Sequence, residues 1–334
     1  MNHRTVALQR AAIIGVGRMG LGIAQSLVMS GIEVAFTDAT PELSRASREQ
    51  LIERMRAHAA AGLVDEAAAA RAADVTTADS IPEAAADADL VIEAVTEDID
   101  IKRSVLRACD DSARPDAIIA SNTSSLAIND LVEFVDRTER FLGVHWFNPA
   151  EWTPGVEVIP SRYTAPEVVE RVVELLHRIG KRPSTVLPSV GFVANRLQMA
   201  LFCEAARCVA EGLASPAQID EVVRSCFGFR LPFFGPFQIA DMAGLDVYEA
   251  VLRQHEQAFG ERFKVPRMVQ DMVAAGNHGT ASGSGFYEYG DAAVADLLVE
   301  RDRRYAALSR LLSEVPPLEF DGGAVALDAR FGQS

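Results

Sequence analysis

The stretch "AAIIGVGRMGLGIAQSLVMSGIEVAFTD", residues 11–38, decides the fold of this chain. It begins as a short apolar strand, passes through glycines spaced as GxGxxG, continues with helical periodicity and ends in a second strand. Gly15 permits the tight turn, Gly17 lets the backbone approach a pyrophosphate, and Gly20 lets the helix pack closely on the strand. The helix N-terminus then faces the phosphates. The pattern predicts a βαβ unit that binds a dinucleotide.

The second strand closes on Asp38, whose carboxylate can accept hydrogen bonds from both ribose hydroxyls of an adenosine. A 2′-phosphate at that position would be repelled, and no arginine adjoins Asp38 to receive one. The acid therefore favours NAD over NADP as the cofactor. We expect Arg18 and Met19, which lie inside the glycine turn, to line the same cofactor site.

The chain up to about Ser189 follows the pattern of a doubly wound α/β sheet. Residues 41–74 read as helical with a break at Gly62, which predicts a helical hairpin insertion. Apolar strands follow at "ADLVIEAV", "DAIIASNTSS" and "RFLGVHWF", with helical segments between them. A helix over about 166–179 and the strand "RPSTVLP" complete a Rossmann-type NAD-binding domain, predicted to span residues 1–189.

Beyond Gly191 the sequence shows helical patterns and no competing strand pattern, so we expect an all-α C-terminal domain over residues 190–334. Its segments 192–208 and 231–251 are strongly apolar. They exceed what a small helical domain needs to close its own core, which predicts a homodimer built through these helices.

The composition excludes several classes of partner. With 334 residues, 49% of them hydrophobic, the chain can fill two cores. It has no apolar run of the roughly 20 residues that a membrane span needs and no signal-peptide pattern, so we expect no membrane contact and a cytoplasmic location. A formal charge of −15 argues against nucleic acid as a partner. The cysteines lack metal-ligand spacing, which indicates no metal site and four buried thiols: Cys109, Cys203, Cys208 and Cys226.

A second stretch, "GVHWFNPAEWTPGVEVIP" at residues 143–160, places His145 inside an apolar run and a lone Glu157 twelve residues later. Two interpretations are open from these residues alone. The histidine is either a buried structural residue bonded to a backbone carbonyl, with Glu157 on a solvated face, or the two form a catalytic pair on neighbouring strands.

Several motifs together resemble the L-3-hydroxyacyl-CoA dehydrogenase family. They are "GVGRMGLGIAQ", "SNTSSL", "HWFNP" with Glu157, "GFVANRL", "GPFQIADMAGLD" and "SGSGFYEY", and they span roughly residues 10–290. The resemblance implies a Rossmann-type NAD domain, a helical C-terminal domain that dimerises, and oxidation of a β-hydroxyl to a β-ketone. It also implies a catalytic pair of histidine and glutamate at His145 and Glu157.

The chemistry of such a reaction suits this pair. Removing a hydride from a secondary alcohol leaves a protonated ketone unless a base takes the hydroxyl proton. A histidine with a pKa near neutrality serves both directions of the reaction. A carboxylate on the far ring nitrogen fixes the tautomer and stabilises the imidazolium. We therefore expect His145 to be the base and Glu157 its partner.

The same resemblance assigns roles to further polar residues. It implies that Ser124 and Asn195 contact the β-oxygen of the substrate, and that Asn148 and Ser124 lie near the nicotinamide and its ribose. It also implies that Glu97 and Lys102 touch the cofactor. Each has a structural alternative from its residue type alone: Ser124 as a helix cap, Asn195 as a bond between helices, and Asn148 as a turn residue before proline.

Departures from the family pattern leave the substrate open. Ala281 stands where the glycine-rich turn of the family usually has a lysine, and Glu151 and Trp152 follow "HWFNPA" where a small or aliphatic pair is common. The first interpretation is NAD-dependent oxidation of a 3-hydroxyacyl-CoA to the 3-ketoacyl-CoA. The alternative is the same chemistry on a small non-CoA hydroxy acid or alcohol, of the gulonate, carnitine or pyridine-carboxylate type. If the substrate carries coenzyme A, its phosphates need cations, and the candidates are Arg45, Arg48, Arg54 and Arg56. The alternative is that these arginines form a solvated helical face with no ligand.

Overall fold

The computed structural model describes residues 7–318, apart from the side chains of residues 291–293. The chain divides into two compact units, Met1–Leu201 and Phe202–Ser334. This division falls inside a helix, twelve residues after the domain boundary predicted from the sequence at residue 189, and that boundary stays a prediction.

The first unit contains an eight-stranded sheet in the order β3-β2-β1-β4-β5-β6-β7-β8. Neighbouring strands are parallel except β6 and β7, which are antiparallel. The order of the first six strands is that of a doubly wound dinucleotide-binding sheet, whose crevice lies where the order reverses, between β1 and β4. The strands are β1 Arg10–Ile14, β2 Glu33–Thr37, β3 Thr76–Thr77, β4 Leu90–Glu93, β5 Ile118–Ser121, β6 Phe141–Trp146, β7 Gly155–Pro160 and β8 Arg182–Thr185.

Helices connect these strands as the sequence pattern predicts. They are α1 Arg18–Met29, α2 Pro41–Ala60, α3 Glu66–Ala70, α4 Ile81–Ala85, α5 Ile99–Ser112, α6 Ile128–Leu131 and α7 Pro166–Arg178. The hairpin of α2 and α3 turns at Gly62, whose φ of 68° is open to glycine without strain. Its second arm is short, because α3 passes into a 3₁₀ turn at Arg71–Asp74.

The core of this unit lies on both faces of the sheet, because side chains alternate along each strand. On β1, Ile13 belongs to one apolar cluster with Leu27 of α1, whereas Ile14 belongs to the other with Leu106 of α5. A sheet buried on both faces holds the carboxyl ends of its strands in fixed positions, which is where the polar residues of interest lie.

The second unit has an α-helical architecture, and its described part contains no strand beyond two isolated bridges. The all-α prediction is thus confirmed. Helix α8 crosses the division between the units. The helices are α8 Ala194–Ala210, α9 Pro216–Ser225, α10 Pro236–Ala243, α11 Leu245–Phe259, α12 Arg267–Ala274 and α13 Asp291–Glu314.

A buried aspartate anchors the glycine-rich turn of the second unit. Asp241 of α10 is fully buried and accepts hydrogen bonds from the backbone amides of Phe286 and Tyr287 and from the Tyr289 hydroxyl. Burial, together with the bond to Asp241, raises the pKa of the Tyr289 phenol. A Cβ on Gly285 would collide with the Asp241 carboxylate, which explains why the "SGSGFYEY" turn needs glycine there.

The expectation of four buried thiols is wrong. Cys109 is buried in α5, but Cys203 and Cys226 are exposed and Cys208 is half-buried. The reason is that α8 and α9 bury none of their side chains in the described structure, so apolar residues on them remain uncovered.

Two further properties of the described residues bear on function. Over residues 7–318, every helix is too short or too polar to cross a bilayer. Within the same part of the chain, no group of histidine, cysteine and acidic side chains is arranged to hold a metal ion.

Candidate functional site

The glycine turn after β1 is shaped by its three glycines in different ways. Gly15 has a φ of 91°, and a Cβ there would lie 2.9 Å from the backbone of Ala94, at the end of β4. A Cβ on Gly20 would collide with the carbonyl oxygen of Gly15. A Cβ on Gly17 would meet nothing within 4 Å. Gly15 and Gly20 therefore allow the turn itself, whereas Gly17 leaves open space on the side where a ligand approaches.

A cavity of about 530 Å³ opens over this turn, in the crevice between β1 and β4. Asp38 stands at its edge, with one carboxylate oxygen 2.7 Å from the Val16 amide and the other 2.7 Å from the Ala39 amide. These bonds hold the acid at the end of β2, and the open side of Gly17 gives a phosphate room to meet the backbone. The arrangement fits NAD. Five of the residues that the sequence predicts to bind the cofactor line this cavity: Gly15, Gly17, Arg18, Met19 and Asp38.

His145 and Glu157 face each other across the antiparallel pair β6 and β7. They are directly opposite in the strand register, and His145 Nδ1 lies 2.9 Å from Glu157 Oε2. Both are buried, and the rings of Phe147 and Phe192 pack against the imidazole, at centroid distances of 4.4 and 5.4 Å. A carboxylate on Nδ1 places the proton on that nitrogen, so Nε2 is left with its lone pair.

The second oxygen of Glu157 has a separate task. Oε1 accepts hydrogen bonds from the backbone amides of Val193 and Ala194, at 3.0 and 2.9 Å. These amides begin α8, so the carboxylate also caps the positive end of that helix. One buried carboxylate thus orients the histidine and fixes the start of the helix that carries Asn195.

Asn195 and Ser124 come from distant parts of the sequence and meet in the structure. The Asn195 amide nitrogen lies 3.3 Å from the Ser124 carbonyl oxygen. Both residues are partly buried. The first turn of α8 therefore brings Asn195 to the loop after β5 and, through Ala194, to Glu157.

Glu97 organises the loop after β5. Its Oε1 accepts from the Thr123 hydroxyl at 2.5 Å, from the Ser124 amide at 2.9 Å, and from both the amide and the hydroxyl of Ser125 at 2.9 Å. Burial alone would raise the pKa of Glu97. The Thr123 bond, the charge of Lys102 and the two amides outweigh burial and lower this pKa to about 2.

Lys102 lies between two carboxylates. Its ammonium is 2.6 Å from Glu93 Oε1 and 3.2 Å from Glu97 Oε2, with 1% of the side chain exposed. Sequence reasoning missed Glu93, although an acid ending the apolar strand "LVIE" was a signal for it. The lining of the 530 Å³ cavity includes neither Lys102 nor Glu97.

The turn between β6 and β7 is fastened to its surroundings. Asn148 is exposed there. The buried Lys181 ammonium donates to the carbonyl oxygens of Ala150 at 2.6 Å and Thr153 at 2.9 Å. Glu151 lies 3.5 Å from an Arg54 nitrogen of α2. The departure from the family pattern at Glu151 thus joins this turn to the hairpin helix.

The arginines of α2 are mostly engaged by the protein itself. Arg45 pairs with Glu42 at 2.7 Å. Arg48 donates to the carbonyl oxygens of Val75 at 2.6 Å and Ala73 at 2.5 Å. With Arg54 held by Glu151, Arg56 remains, and it lines a cavity between α2 and α3.

Comparison with known proteins places this arrangement in context. Residues 10–188 match the family model for the 3-hydroxyacyl-CoA dehydrogenase NAD binding domain, and residues 191–289 match that for its C-terminal domain. The chain is 35% identical to a 5-formyl-3-hydroxy-2-methylpyridine 4-carboxylate 5-dehydrogenase of Mesorhizobium japonicum, covering 91% of this chain and 98% of that protein. It is 33% identical to a probable 3-hydroxybutyryl-CoA dehydrogenase of Bacillus subtilis, covering 84% and 98%.

The fold comparison agrees with these matches. The crystal structure of a 3-hydroxyacyl-CoA dehydrogenase from Archaeoglobus fulgidus superimposes with a TM-score of 0.77 at 32% identity, covering 91% of this chain and 99% of that one.

Proposed function

The chain belongs to the 3-hydroxyacyl-CoA dehydrogenase family, NAD-dependent oxidoreductases that act on CH–OH groups, and we propose that His145 is the base that takes the hydroxyl proton. The observation that carries this proposal is the bond from His145 Nδ1 to Glu157 at 2.9 Å. It leaves Nε2 as the basic nitrogen and places a negative charge beside the imidazolium that forms when the proton arrives.

The chain's own residues supply the remaining parts of the reaction. When bound, NAD supplies a hydride acceptor. Asp38 selects the cofactor by its ribose hydroxyls, and the open side of Gly17 admits the pyrophosphate. Ser124 and Asn195, joined by the bond from the Asn195 amide to the Ser124 carbonyl, orient the substrate oxygen. The rings of Phe147 and Phe192 exclude water from the imidazole.

The substrate we propose first is a 3-hydroxyacyl-CoA, oxidised reversibly to the 3-ketoacyl-CoA. Its support is the match to both family models over residues 10–188 and 191–289 and the likeness to the Bacillus subtilis relative. The test is the loss of 340 nm absorbance when the protein meets NADH and acetoacetyl-CoA. A fast loss that depends on both compounds is expected.

A second substrate class is a small non-CoA hydroxy acid or alcohol, and one observation favours it. Arg48 donates to backbone carbonyls and Arg54 pairs with Glu151, so two of the four arginines of α2 are engaged within the protein and are not free to meet a nucleotide tail. The similarity to the pyridine-carboxylate dehydrogenase of Mesorhizobium japonicum adds support. Turnover of a 3-hydroxy acid or hydroxymethylpyridine carboxylate, with none of acetoacetyl-CoA, would select this class.

The assembly we propose is a homodimer through the C-terminal helices, in the cytoplasm. Helix α8 buries no side chain in the single chain. The apolar side chains exposed along α8 and the helices after it include Leu197 at 59%, Phe202 at 64%, Val222 at 52% and Val247 at 51%. Exposed apolar surface of this extent is typical of an interface. Sedimentation at micromolar concentration tests it, and a 36.0 kDa monomer would refute it.

A further inference from the structure

Lys181 is a buried charge that the proposed reaction does not use. It lies between α7 and β8 and is 7% exposed, and its ammonium stands 5.5 Å from the centre of the Trp146 ring. Moving an ammonium out of water costs several kcal/mol unless protein groups replace the lost water. The groups that this ammonium contacts therefore show where its charge acts.

The ammonium of Lys181 binds the backbone of one turn. We name residues 147–154, between β6 and β7, the Asn-Pro turn. The ammonium donates to the carbonyl oxygens of Ala150 at 2.6 Å, Thr153 at 2.9 Å and Glu151 at 3.4 Å. An ammonium has three N–H groups, so these three carbonyls can use all of them. The charge thus gathers the carbonyl groups of the turn around one point.

The end of α7 fixes the place from which Lys181 reaches the turn. Gly180 has a φ of 77°, and the Lys181 amide donates to the Leu176 carbonyl oxygen at 2.8 Å. A left-handed glycine followed by such a returning bond is a common way to end a helix. The next amide, that of Arg182, donates to the Pro154 carbonyl oxygen at 2.7 Å as β8 begins. Lys181 therefore extends from a backbone corner that is bonded on both sides.

The Asn-Pro turn has further contacts that hold it on the same side of the sheet. The Ser26 hydroxyl of α1 donates to the Ala150 carbonyl oxygen at 3.1 Å, and Glu151 lies 3.5 Å from Arg54 of α2. Burial lowers the pKa of Lys181, whereas the negative charge of Glu151 raises it. The carboxylate therefore favours the charged form of the lysine that binds this turn.

The Asn-Pro turn begins beside the proposed base. Its first residue, Phe147, places its ring 4.4 Å from the imidazole of His145, centre to centre. Asn148 follows directly. If the carbonyls at the other end of the turn were released, the turn could shift, and Phe147 would move away from the imidazole that it covers.

We propose that Lys181 is a positioning residue whose ammonium fixes the Asn-Pro turn and so keeps the Phe147 ring packed on the imidazole of His145. This inference rests on the dehydrogenase function proposed above. Lys181 acts through the turn and not on the cofactor, because its donors are directed at the turn carbonyls and it does not line the cavity over the glycine turn.

The test replaces Lys181 with Met, which keeps the length of the side chain and removes the ammonium. The matched control is Arg137→Met. The Arg137 guanidinium donates to the carbonyl oxygens of Ala113 at 3.1 Å and Arg114 at 2.8 Å, and it pairs with Asp110 at 2.8 Å. Each variant removes a cation from two backbone carbonyls and a nearby carboxylate, so comparable losses of stability are expected.

Three properties are measured in both variants: kcat, the Kd for NADH, and the NMR signals of the ring protons of His145 in protein labelled with ¹³C-histidine. The His145 signals are assigned by their loss in His145→Gln. They read the position of Phe147, because an aromatic ring shifts the signals of protons that it covers. General destabilisation of a protein that stays folded does not move them.

For Lys181→Met we expect kcat to fall about tenfold or more, since small misplacements around a reacting group cost that much. The His145 ring signals should shift. The Kd for NADH should change less than about threefold, because the glycine turn and Asp38 are untouched. Arg137→Met should keep kcat within about threefold of wild type and leave the His145 signals in place. If Lys181→Met fails to fold, Lys181→Gln, which keeps an NH₂ donor, is measured in its place with the same expected directions.

Unmoved His145 signals in the Lys181 variant would overturn the proposal, whatever happens to kcat. Equal losses of kcat in the Lys181 and Arg137 variants would also overturn it, since the effect would then be general destabilisation. Failure of the dehydrogenase function itself would look different. Wild type would be inactive on every hydroxy substrate, while the His145 signals would still show whether Lys181 positions Phe147.

Discussion

Replacing Glu157 by Gln tests the link between the acid, the histidine and helix α8. One oxygen of the carboxylate accepts a hydrogen bond from His145 Nδ1 at 2.9 Å. The other oxygen accepts hydrogen bonds from the backbone amides of Val193 and Ala194, at 3.0 and 2.9 Å. A glutamine side chain has one oxygen and one NH₂ group. Two backbone donors need an acceptor more than one ring nitrogen does, so we expect the glutamine oxygen to face α8 and its NH₂ to face His145.

That orientation of the glutamine amide reverses which ring nitrogen of His145 carries the proton. With an NH₂ group at Nδ1, this nitrogen must accept, so the proton moves to Nε2 and the base is lost. A wrong tautomer in a catalytic triad costs about 10⁴-fold in kcat, and general-base catalysis is worth about 10²–10⁴-fold. We expect Glu157→Gln to lower kcat by about 10²- to 10⁴-fold. Losing one charge-assisted hydrogen bond should also lower the free energy of unfolding by roughly 1.5–3 kcal/mol.

The assay is NADH-coupled turnover, with ¹⁵N NMR of the His145 ring to read the tautomer and urea denaturation to read stability. Glu174→Gln, on the exposed face of α7, is the control and should match wild type. A kcat within about threefold of wild type, or a His145 Nε2 that remains unprotonated while kcat collapses, would refute this reasoning.

Three further predictions follow from other contacts. We expect wild type to prefer NADH over NADPH by at least about tenfold, roughly 1.4 kcal/mol, and Asp38→Ala should reduce this preference. Equal use of both cofactors by wild type would contradict the role of this acid. The Arg48 guanidinium is bonded to two backbone carbonyls, so Arg48→Ala should lower the free energy of unfolding by roughly 1–3 kcal/mol and leave the KM for acetoacetyl-CoA unchanged. A several-fold rise in KM would identify Arg48 as a phosphate contact instead. The pKa of Glu97 is lowered from 4.5 to about 2, so the folded state gains stability above pH 4.5 that is lost as pH falls toward 2. The stability difference between wild type and Glu97→Gln, read by urea denaturation, should therefore shrink across that range, and a constant difference would show that Glu97 gains nothing from its partners.

The parts of the fold that the sequence predicts are those encoded locally. The GxGxxG turn, the acid at Asp38 and the apolar strands each follow from residues close together in the chain, and the doubly wound sheet is confirmed. The two-residue strand β3, Thr76–Thr77, is too short to show any periodicity, so no pattern indicated it. The exposure of Cys203 was mispredicted because an apolar helical face does not tell which surface covers it.

The site was predictable where it rests on a single turn and not where it rests on distant contacts. The spacing of His145 and Glu157 indicated two strands that return beside each other, and they are opposite in register. The bond of Glu157 to the amides that begin α8 spans 36 and 37 residues, and no pattern signals it. The resemblance assigns Lys102 to the cofactor and names no protein partner for it, so it does not predict Glu93, which lies 2.6 Å from the Lys102 ammonium.

Replacing His145 by Gln tests the central claim most directly. The variant removes the base and leaves the glycine turn, Asp38 and the cavity over them intact. The account predicts that kcat falls by at least about 10²-fold while the Kd for NADH stays within about threefold of wild type. His177→Gln, the same change at an exposed histidine of α7, should leave both values unchanged. A kcat for His145→Gln within about threefold of wild type would contradict the account.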